Sequence, residues 1–199
     1  IGSRGLGDVY KRQAILIRSL IIQPFYIPSS SMEPTLLVGD RIFVIKYVYG
    51  YSKHSFPFSP NFSNKRFMSN EPKQGDLVVF KTPADNRTDY IKRLIGLPGD
   101  EIQFINGDLF INGNKILREK SEIIEPIRCG NFTFDAIAYT ETLPNGVKHL
   151  ATYNKAGTLQ NTKKYVVPPN HYFLMGDNRD CSKDSSCLLY TSDAADEVV

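Results

Sequence analysis

Short apolar runs separated by Gly, Pro and Asn dominate the chain from residue 41 onward. The runs are rich in β-branched and aromatic residues, which favour extended strands. They lie at 41–49, 76–82, 90–96, 101–105, 108–111, 165–167 and 172–175. Strands this short and this frequent predict an all-β fold, either a sandwich or a partly open barrel.

Asn-Gly dipeptides mark several connections between these strands. Asn106-Gly107 separates two runs and predicts a tight hairpin, and Asn112-Gly113 predicts a second turn soon after it. The sequence FDAIAYTETLPNGVKHLATY predicts a further hairpin around Pro144-Asn145-Gly146. This hairpin lies in a stretch, 121–164, that we expect to be a small β insertion into the main β core.

An apolar run near the start of the chain, AILIRSLII at 14–22, does not follow the strand pattern. A helix that crosses a bilayer needs about 20 apolar residues, so this run is too short to span one by itself. It is either a short buried helix or the end of a transmembrane helix, and the pattern alone leaves both interpretations open. Proline disfavours helix at the residue before it, so Gln23-Pro24 is predicted to end the helix.

The segment 50–74 also lies outside the strand pattern. It holds five aromatic residues among Pro, Ser and Asn: Tyr51, Phe56, Phe58, Phe62 and Phe67. These rings either pack within a long loop or form a surface for the membrane interface, where aromatic rings are favoured.

The two ends of the chain differ from the rest. Residues 1–13 have no apolar periodicity, and residues 187–199 break off a polar motif abruptly. Both strings resemble translated adapter or vector sequence, so we exclude them from the fold prediction. The predicted organisation is a foreign-looking leader (1–13), the end of a transmembrane helix (14–24), a catalytic β core in two parts (25–120 and 165–186), a β insertion between them (121–164), and a foreign-looking tail (187–199).

Charge and cysteine content narrow the possible functions. The net charge is only +3 and the Lys and Arg residues are scattered, which argues against a nucleic-acid-binding protein. The cysteines Cys129, Cys181 and Cys187 are odd in number, so they cannot all be paired within one chain. The histidines lie far apart, whereas a zinc site needs clustered ligands. We therefore predict no metal and no cofactor.

Three polar clusters carry the candidate chemistry: IPSSSMEPTL at 27–36, DYIKRLIGLPGD at 89–100 and MGDNRDCSKDS at 175–185. Taken singly, each has a simple explanation, namely a serine-rich turn, a solvated lysine and a charged surface turn. Alternation along a strand places Lys92 on the same face as Tyr90 and Leu94, which is an unusual position for a lysine if that face is buried.

Together and in this order, the three clusters resemble the type I signal peptidases, the S26 serine proteases, over about residues 15–185. The resemblance implies a signal-peptidase-like folded β-sheet. It also implies a membrane-bound serine endopeptidase that removes signal peptides with a Ser/Lys dyad instead of a triad. Matched by position, Ser31 is the expected nucleophile and Lys92 the expected general base.

The same resemblance implies roles for the surrounding residues. The Ser29 hydroxyl and the Ser31 amide are expected to form the oxyanion hole, and Ser182 is expected to orient the lysine. The structural polar positions near the site are Arg93, Asp177 and Asp184. The apolar lining of the substrate pockets is expected from Phe25, Ile27, Pro28, Met32, Leu36, Tyr90 and Ile91.

A Ser/Lys dyad is chemically reasonable and is a recognised variant of the serine-protease triad. A serine hydroxyl is a weak nucleophile that needs a base within hydrogen-bond reach. Lysine can be that base only when it is neutral, whereas its unperturbed pKa is about 10.4. Burial among apolar side chains disfavours the ammonium form and lowers a lysine pKa by as much as about 3–5.

The resemblance also implies a location and a set of partners. The expected location is the bacterial cytoplasmic membrane, with the catalytic domain on its outer, periplasmic face. The expected partners are signal-peptide-bearing preproteins and the lipid bilayer, with no nucleic acid and a monomeric enzyme. Two positions depart from the family pattern, since Ser186 replaces an Arg and Cys181 replaces a small polar residue, often Asn.

Two other functions fit parts of the pattern. A cytosolic self-cleaving repressor also uses a Ser/Lys dyad, but it carries a DNA-binding helical domain, and the sequence has no helix-turn-helix pattern. A non-catalytic β domain that binds peptides by strand addition would need the pockets but not Lys92.

Overall fold

The computed structural model describes residues 9–13, 17, 21–50, 70–82, 85, 87–121, 126–154 and 161–189. Most of the apolar run at 14–22, most of the aromatic segment at 50–74 and most of the tail at 187–199 lie outside these residues. The structure does not address the predictions for the parts of those three segments that lie outside the described residues.

Strands dominate the described residues. They are β1 (Ile22–Tyr26), β2 (Arg41–Ile45), β3 (Leu77–Lys81), β4 (Asp89–Gly96), β5 (Glu101–Ile105), β6 (Asp108–Ile111), β7 (Asn114–Lys115), β8 (Leu117–Lys120), β9 (Pro126–Cys129), β10 (Phe132–Thr142), β11 (Lys148–Asn154), β12 (Tyr165–Val166) and β13 (Phe173–Met175). Residues 9–13 and 17 are helical, and two 3₁₀ segments occupy Ser30–Met32 and Ser185–Leu189. The predicted all-β fold class is confirmed.

The chain divides into two compact units. The first comprises residues 1–26 and 41–72, and its described part is mainly the antiparallel ribbon of β1 and β2. This ribbon corrects one prediction, because Ile22, Gln23 and Pro24 lie in a strand and do not end a helix. The preference of a pre-proline residue for extended backbone suits a strand as well as a helix end, and pairing with β2 decides between them.

The second unit comprises residues 27–40 and 73–199, and it contains three antiparallel sheets. Their strand orders are β13-β4-β3, β12-β5-β6-β7 and β11-β10-β8, with β9 also paired to β10. The predicted insertion hairpin is present as β10 and β11. Its sheet begins earlier than the predicted boundary at residue 121, because β8 pairs with β10.

Two predicted turns explain the sharp reversals between short strands. Asn106 and Gly107 both have positive φ, and they join β5 to β6. Asn112 and Gly113 repeat the arrangement between β6 and β7. Positive φ at both central residues is what a tight hairpin turn of this kind requires, and Asn-Gly provides it at low cost.

The apolar core of the second unit is formed by alternate residues of its strands. In β5 and β6 the inward positions are buried, while Gln103 and Asp108 between them are partly exposed. The fully or nearly fully buried residues of this apolar core are Ile95, Ile102, Phe104, Leu109, Ile111, Ile116, Leu143, Ala151, Tyr153, Val167, Phe173 and Met175. This period of two is the expected signature of a half-buried sheet.

One disulfide joins distant parts of the second unit. Cys129 at the end of β9 is bonded to Cys181, which follows β13, and Cys187 is free and exposed. Within the described residues, no helix combines the length and the apolar character that crossing a bilayer requires.

Candidate active site

A short loop presents Ser31. The loop is closed at its base by backbone hydrogen bonds between Ile27 and Asp40 and between Gly39 and Ile27. Its middle forms the 3₁₀ turn Ser30–Met32, in which Ser31 is buried. Prolines on both sides of the serines restrict the backbone of this loop, as the sequence suggested.

Strand β4 brings Lys92 to Ser31, although 61 residues separate them in sequence. The Lys92 Nζ atom donates a hydrogen bond to Ser31 Oγ at 2.7 Å. Lys92 is 4 % exposed, and its ammonium group lies 5.6 Å from the centre of the Tyr90 ring. The predicted nucleophile and the predicted base are therefore in direct contact in a buried setting.

The surroundings of Lys92 favour its neutral form. Burial lowers the pKa of the Lys92 ammonium from its ordinary value, while the charges of Asp184 and Asp177 act in the opposite direction. Burial is the larger effect, so the net shift is downward. A lysine held in this way loses its proton at a lower pH than an exposed lysine, which a general base in this position needs.

Arg93, the next residue of β4, is fully paired with a carboxylate. Its Nε and Nη2 atoms donate to the two oxygens of Asp177 at 2.8 and 2.7 Å, and its Nη1 atom donates to Gly75 O at 2.8 Å. Thr35 Oγ1 also donates to Asp177. Sequence reasoning missed Thr35, although its position four residues after Ser31 in the same motif was a signal.

The turn after β13 carries the remaining polar residues. Asp184 accepts hydrogen bonds from the backbone N–H groups of Gly176 and Ser186 at 2.6 and 2.9 Å, so it closes this turn. The Ser182 hydroxyl is buried and has no hydrogen-bond partner within the described residues. Its predicted role in orienting the lysine stays a prediction.

Gly176 explains how closely this turn approaches the nucleophile. A side-chain carbon at Gly176 would collide with Ser182 and with the carbonyl oxygen of Ser31. Only a residue without a Cβ atom allows the turn and the Ser31 loop to lie this close together.

Ser29 lies at the edge of the site. Its Oγ atom is 3.4 Å from Ser31 Oγ, and the residue is exposed. An exposed hydroxyl next to the nucleophile is available to a substrate carbonyl, as an oxyanion-hole donor must be. The assignment of Ser29 to that role stays a prediction.

The predicted pocket residues differ in their accessibility. Pro28 is exposed, Leu36, Tyr90 and Ile91 are half-buried, and Ile27 and Met32 are almost fully buried. Phe25 belongs to β1 of the other unit, where it is half-buried. The roles of all these residues in substrate binding stay predictions.

Sequence reasoning missed several buried contacts behind the nucleophile. Asn178 donates from its backbone N–H to Ser31 O at 3.2 Å and from Nδ2 to Ser30 O at 3.1 Å. Arg179 forms a buried ion pair with Glu141 of β10. The GDNR motif contained the first two of these residues, but nothing in the sequence pointed to Glu141. No group of acidic, His and Cys residues that could hold a metal occurs within the described part of the chain.

Comparison with known proteins identifies the family of the chain. The family described as signal peptidase, peptidase S26, matches residues 11–193. Signal peptidase I of Rickettsia akari (strain Hartford) is 45% identical over 191 residues, covering 88% of this chain and 68% of the relative. Signal peptidase I of Rickettsia typhi (strain ATCC VR-144 / Wilmington) is 44% identical over 187 residues, covering 88% of this chain and 69% of the relative.

A solved structure of a signal peptidase I from Enterococcus faecalis V583 is also similar, with 25% identity over 58% of this chain and 85% of that chain. Its TM-score of 0.33 is too low to bear on the fold. The two Rickettsia relatives and the family match confirm the predicted resemblance, and the chain belongs to the signal peptidase family, peptidase S26.

Proposed function

We propose that this chain removes signal peptides from exported preproteins by peptide-bond hydrolysis, with Ser31 as the nucleophile and Lys92 as its general base. The observation that carries the proposal is the 2.7 Å contact between Lys92 Nζ and Ser31 Oγ, in a position where burial lowers the lysine pKa. A buried lysine next to an activated hydroxyl meets the requirements of nucleophilic catalysis without histidine.

The reaction proceeds in two halves. Neutral Lys92 takes the proton of Ser31 Oγ, which attacks the carbonyl carbon of the scissile bond and gives a tetrahedral oxyanion. The Ser29 hydroxyl and the Ser31 amide donate hydrogen bonds to this oxyanion. When the intermediate collapses, the C–N bond breaks and Lys92 returns the proton to the leaving amine. Water then hydrolyses the acyl-enzyme, with Lys92 again acting as base.

The direct test is cleavage of a purified preprotein by the Ser31→Ala variant. Turnover is expected to fall to background, because no other hydroxyl is hydrogen-bonded to Lys92 within the described residues. Ser30→Ala is the matched control, since its hydroxyl contacts Cys181 and not the lysine. Normal turnover by Ser31→Ala would refute the proposal.

We propose further that the bond cut follows an Ala-x-Ala-like sequence, the small-residue pattern that ends a signal peptide. Pockets lined by buried apolar residues reject bulky side chains, because overpacking costs typically about 1–3 kcal/mol. A precursor with Phe just before the cut should therefore be processed much more slowly than one with Ala. Equal rates for the two precursors would contradict this specificity.

We also propose that the enzyme works at the outer face of the bacterial cytoplasmic membrane. One face of the ribbon of β1 and β2 supports contact with lipid. Cross-strand pairing puts Pro24 beside Phe43, Ile22 beside Ile45 and Tyr26 beside Arg41 on this face. Phe43 is 70% exposed and Tyr26 is 60% exposed. Exposed aromatic and aliphatic side chains of this kind suit the headgroup region.

The disulfide supports the outer face over the cytoplasmic one. Cys129 and Cys181 are bonded to each other. Disulfides persist in oxidising compartments such as the bacterial periplasm and are rare in the cytosol. Externally added protease is expected to digest the catalytic part of the membrane-bound enzyme in spheroplasts. Protection until the cells are lysed would contradict this orientation.

Lipid contact by the ribbon has a separate test with a matched control. Phe43→Glu is expected to weaken cosedimentation with vesicles of phosphatidylethanolamine and phosphatidylglycerol. Phe132→Glu is the control, because Phe132 is a comparably exposed aromatic, at 78%, in the other unit. An equal effect of both variants would show that the added charge, and not the ribbon, controls binding.

A further inference from the structure

A second buried polar cluster lies behind the nucleophile loop, and the dyad chemistry does not use it. It consists of Glu141 on β10, His149 and Tyr153 on β11, and Arg179 in the turn after β13. Glu141 is 1 % exposed and Arg179 is 3 % exposed. These charges lie in the protein interior, where an unpaired charge is very costly.

The cluster is organised around the carboxylate of Glu141. Arg179 Nη2 donates to Glu141 Oε2 at 2.6 Å, and the Tyr153 hydroxyl donates to Glu141 Oε1. His149 Nε2 lies 3.2 Å from Glu141 Oε2. Burial by itself raises the pKa of Glu141, but Arg179, His149 and Tyr153 together lower it to about 2. The carboxylate is therefore ionised at neutral pH.

Stability alone does not explain this ion pair. Replacing a buried pair by well-packed apolar residues is often neutral or stabilising, because both charges must be removed from water. What this ion pair offers beyond apolar packing is a defined orientation, since Arg179 donates through Nη2 to Glu141 Oε2 at 2.6 Å and through Nη1 to Met175 Sδ at 3.0 Å.

Backbone contacts connect the cluster to Ser31. Arg179 N donates to Thr152 O at 3.0 Å, and Thr152 N donates to Asp177 O at 2.8 Å, so strand β11 holds both sides of Asn178. Asn178 in turn donates to the carbonyl oxygens of Ser31 and Ser30 at 3.2 and 3.1 Å. The path from Glu141 to the nucleophile therefore passes through one arginine and one asparagine.

We propose that Glu141 is a positioning residue for Ser31. By holding Arg179, Glu141 fixes the turn 177–179. Asn178 of this turn then sets the position and orientation of the Ser31 backbone. The inference rests on the proposed function, because it takes Ser31 to be the nucleophile. Glu141 does not touch the reacting atoms. Its effect reaches the reaction through the distance and angle between Ser31 Oγ and the bound substrate.

The test compares two Glu→Gln variants. Glu141→Gln keeps the size of the side chain and removes the charge that holds Arg179. The matched control is Glu119→Gln on the neighbouring strand β8, where Glu119 is exposed and pairs in register with Thr140 of β10. Both variants are assayed with a soluble signal-peptide substrate, at a temperature where circular dichroism shows each to be folded.

Glu141→Gln is expected to lower kcat roughly 10- to 100-fold, because small misplacements of reacting groups have effects of this size. The KM is expected to stay within about twofold of the unaltered enzyme, since an interaction used only in the transition state affects kcat. Glu119→Gln is expected to leave both constants unchanged. A kcat of Glu141→Gln equal to that of Glu119→Gln, or a loss confined to KM, overturns the inference.

Two further variants make every outcome decisive. If Glu141→Gln does not fold, Tyr153→Phe removes only the hydroxyl that contacts Glu141, and its kcat must fall about two- to threefold for the inference to stand. Unchanged kcat in Tyr153→Phe then overturns it. Ser31→Ala separates this inference from the proposed function: an active Ser31→Ala refutes the function, whereas an inactive Ser31→Ala with normal Glu141→Gln refutes only the positioning role.

Discussion

Lys92 and Arg93 are neighbours on β4, and their side chains lie on opposite faces of the strand. Both are buried cations, yet their partners differ. Arg93 donates hydrogen bonds to both oxygens of Asp177 and to Gly75 O. Within the described residues, Lys92 donates one hydrogen bond, to the neutral hydroxyl of Ser31.

This difference suggests how one strand can carry both a structural cation and the lysine proposed as general base. A buried cation with a bidentate carboxylate keeps its charge, because the partner offsets the loss of hydration. A hydroxyl offsets less of the lost hydration of a buried cation. The neutral form is therefore favoured, and the pKa of the Lys92 side chain falls. Substitutions on the two faces of β4 are therefore expected to have opposite effects on activity and stability.

Substituting Lys92 is expected to abolish turnover while the fold is retained. Lys92→Ala has no base, and Lys92→Arg has a group that stays protonated, so each is expected to lower kcat/KM by about 10³-fold or more. Precursor cleavage monitored on gels measures this loss. Lys81→Arg is the control, because Lys81 lies on the adjacent strand and pairs with Asp89. Substantial turnover by Lys92→Arg would exclude Lys92 as the base.

Removing the partner of Arg93 is expected to affect stability most. Asp177→Leu leaves the Arg93 guanidinium buried without a carboxylate, which costs about 3–5 kcal/mol. Lys92→Met, on the opposite face, is expected to leave the free energy of unfolding unchanged or to raise it. Urea denaturation at neutral pH measures both. Similar destabilisation by the two variants would mean that the faces of β4 do not differ.

The pH dependence of stability sharpens the same comparison. Because the pKa of Lys92 is lower in the folded chain, the unfolded chain binds more protons between the folded and the ordinary lysine pKa. The free energy of unfolding should therefore rise with pH across that interval. Below the interval, the cost of burying the charged Lys92 side chain is fully present. Lys92→Met should lack this rise. A rise of equal size in both proteins would assign it to another group.

Ser182→Ala is expected to have smaller effects, lowering the activity and raising the stability. The resemblance implies that Ser182 orients the lysine, so kcat is expected to fall roughly tenfold. Among the described residues the buried hydroxyl has no hydrogen-bond partner, so its removal is expected to raise the unfolding free energy, by about 1 kcal/mol or more. A kinetic assay and urea denaturation measure the two effects. Unchanged kcat would remove Ser182 from the mechanism.

Asp184→Asn is expected to have the smallest effect, a displacement of the pH–rate profile. The charge of Asp184 raises the pKa of Lys92, so its removal should lower that pKa further. The acid limb of kcat/KM, on which activity rises as Lys92 loses its proton, should then move to lower pH. Asp135→Asn, on an exposed position of β10, is the control. A limb that stays in place or moves upward contradicts this coupling.

Local signals predicted the strands and turns well. The hairpin at Asn106-Gly107 follows from the chemistry of two adjacent residues, and the structure confirms it. The end of the helix at Gln23-Pro24 was predicted wrongly for residues 22–24, because a strand there depends on pairing with β2. Pairing between distant segments leaves no local trace in the sequence.

The residues of the candidate site also differ in how far the sequence could predict them. The motifs suggested that Ser31 and Lys92 lie together, although no pattern along the chain measures a distance across 61 residues. Glu141 could not be predicted, because nothing distinguishes it from a solvated glutamate on a strand. Three cysteines also did not reveal which two are bonded, since connectivity depends on the fold.

The bond between Cys129 and Cys181 has a consequence for the integrity of the molecule. It closes a covalent ring that contains β10, β11, β12 and β13, with the two cysteines 52 positions apart. A single backbone cut anywhere inside this ring leaves the two fragments joined. Such a nicked molecule would keep the size of the intact chain on a non-reducing gel and would separate into two pieces only after reduction. Cleavage of the backbone within the ring would therefore be detected first as a change in activity and not as a loss of mass.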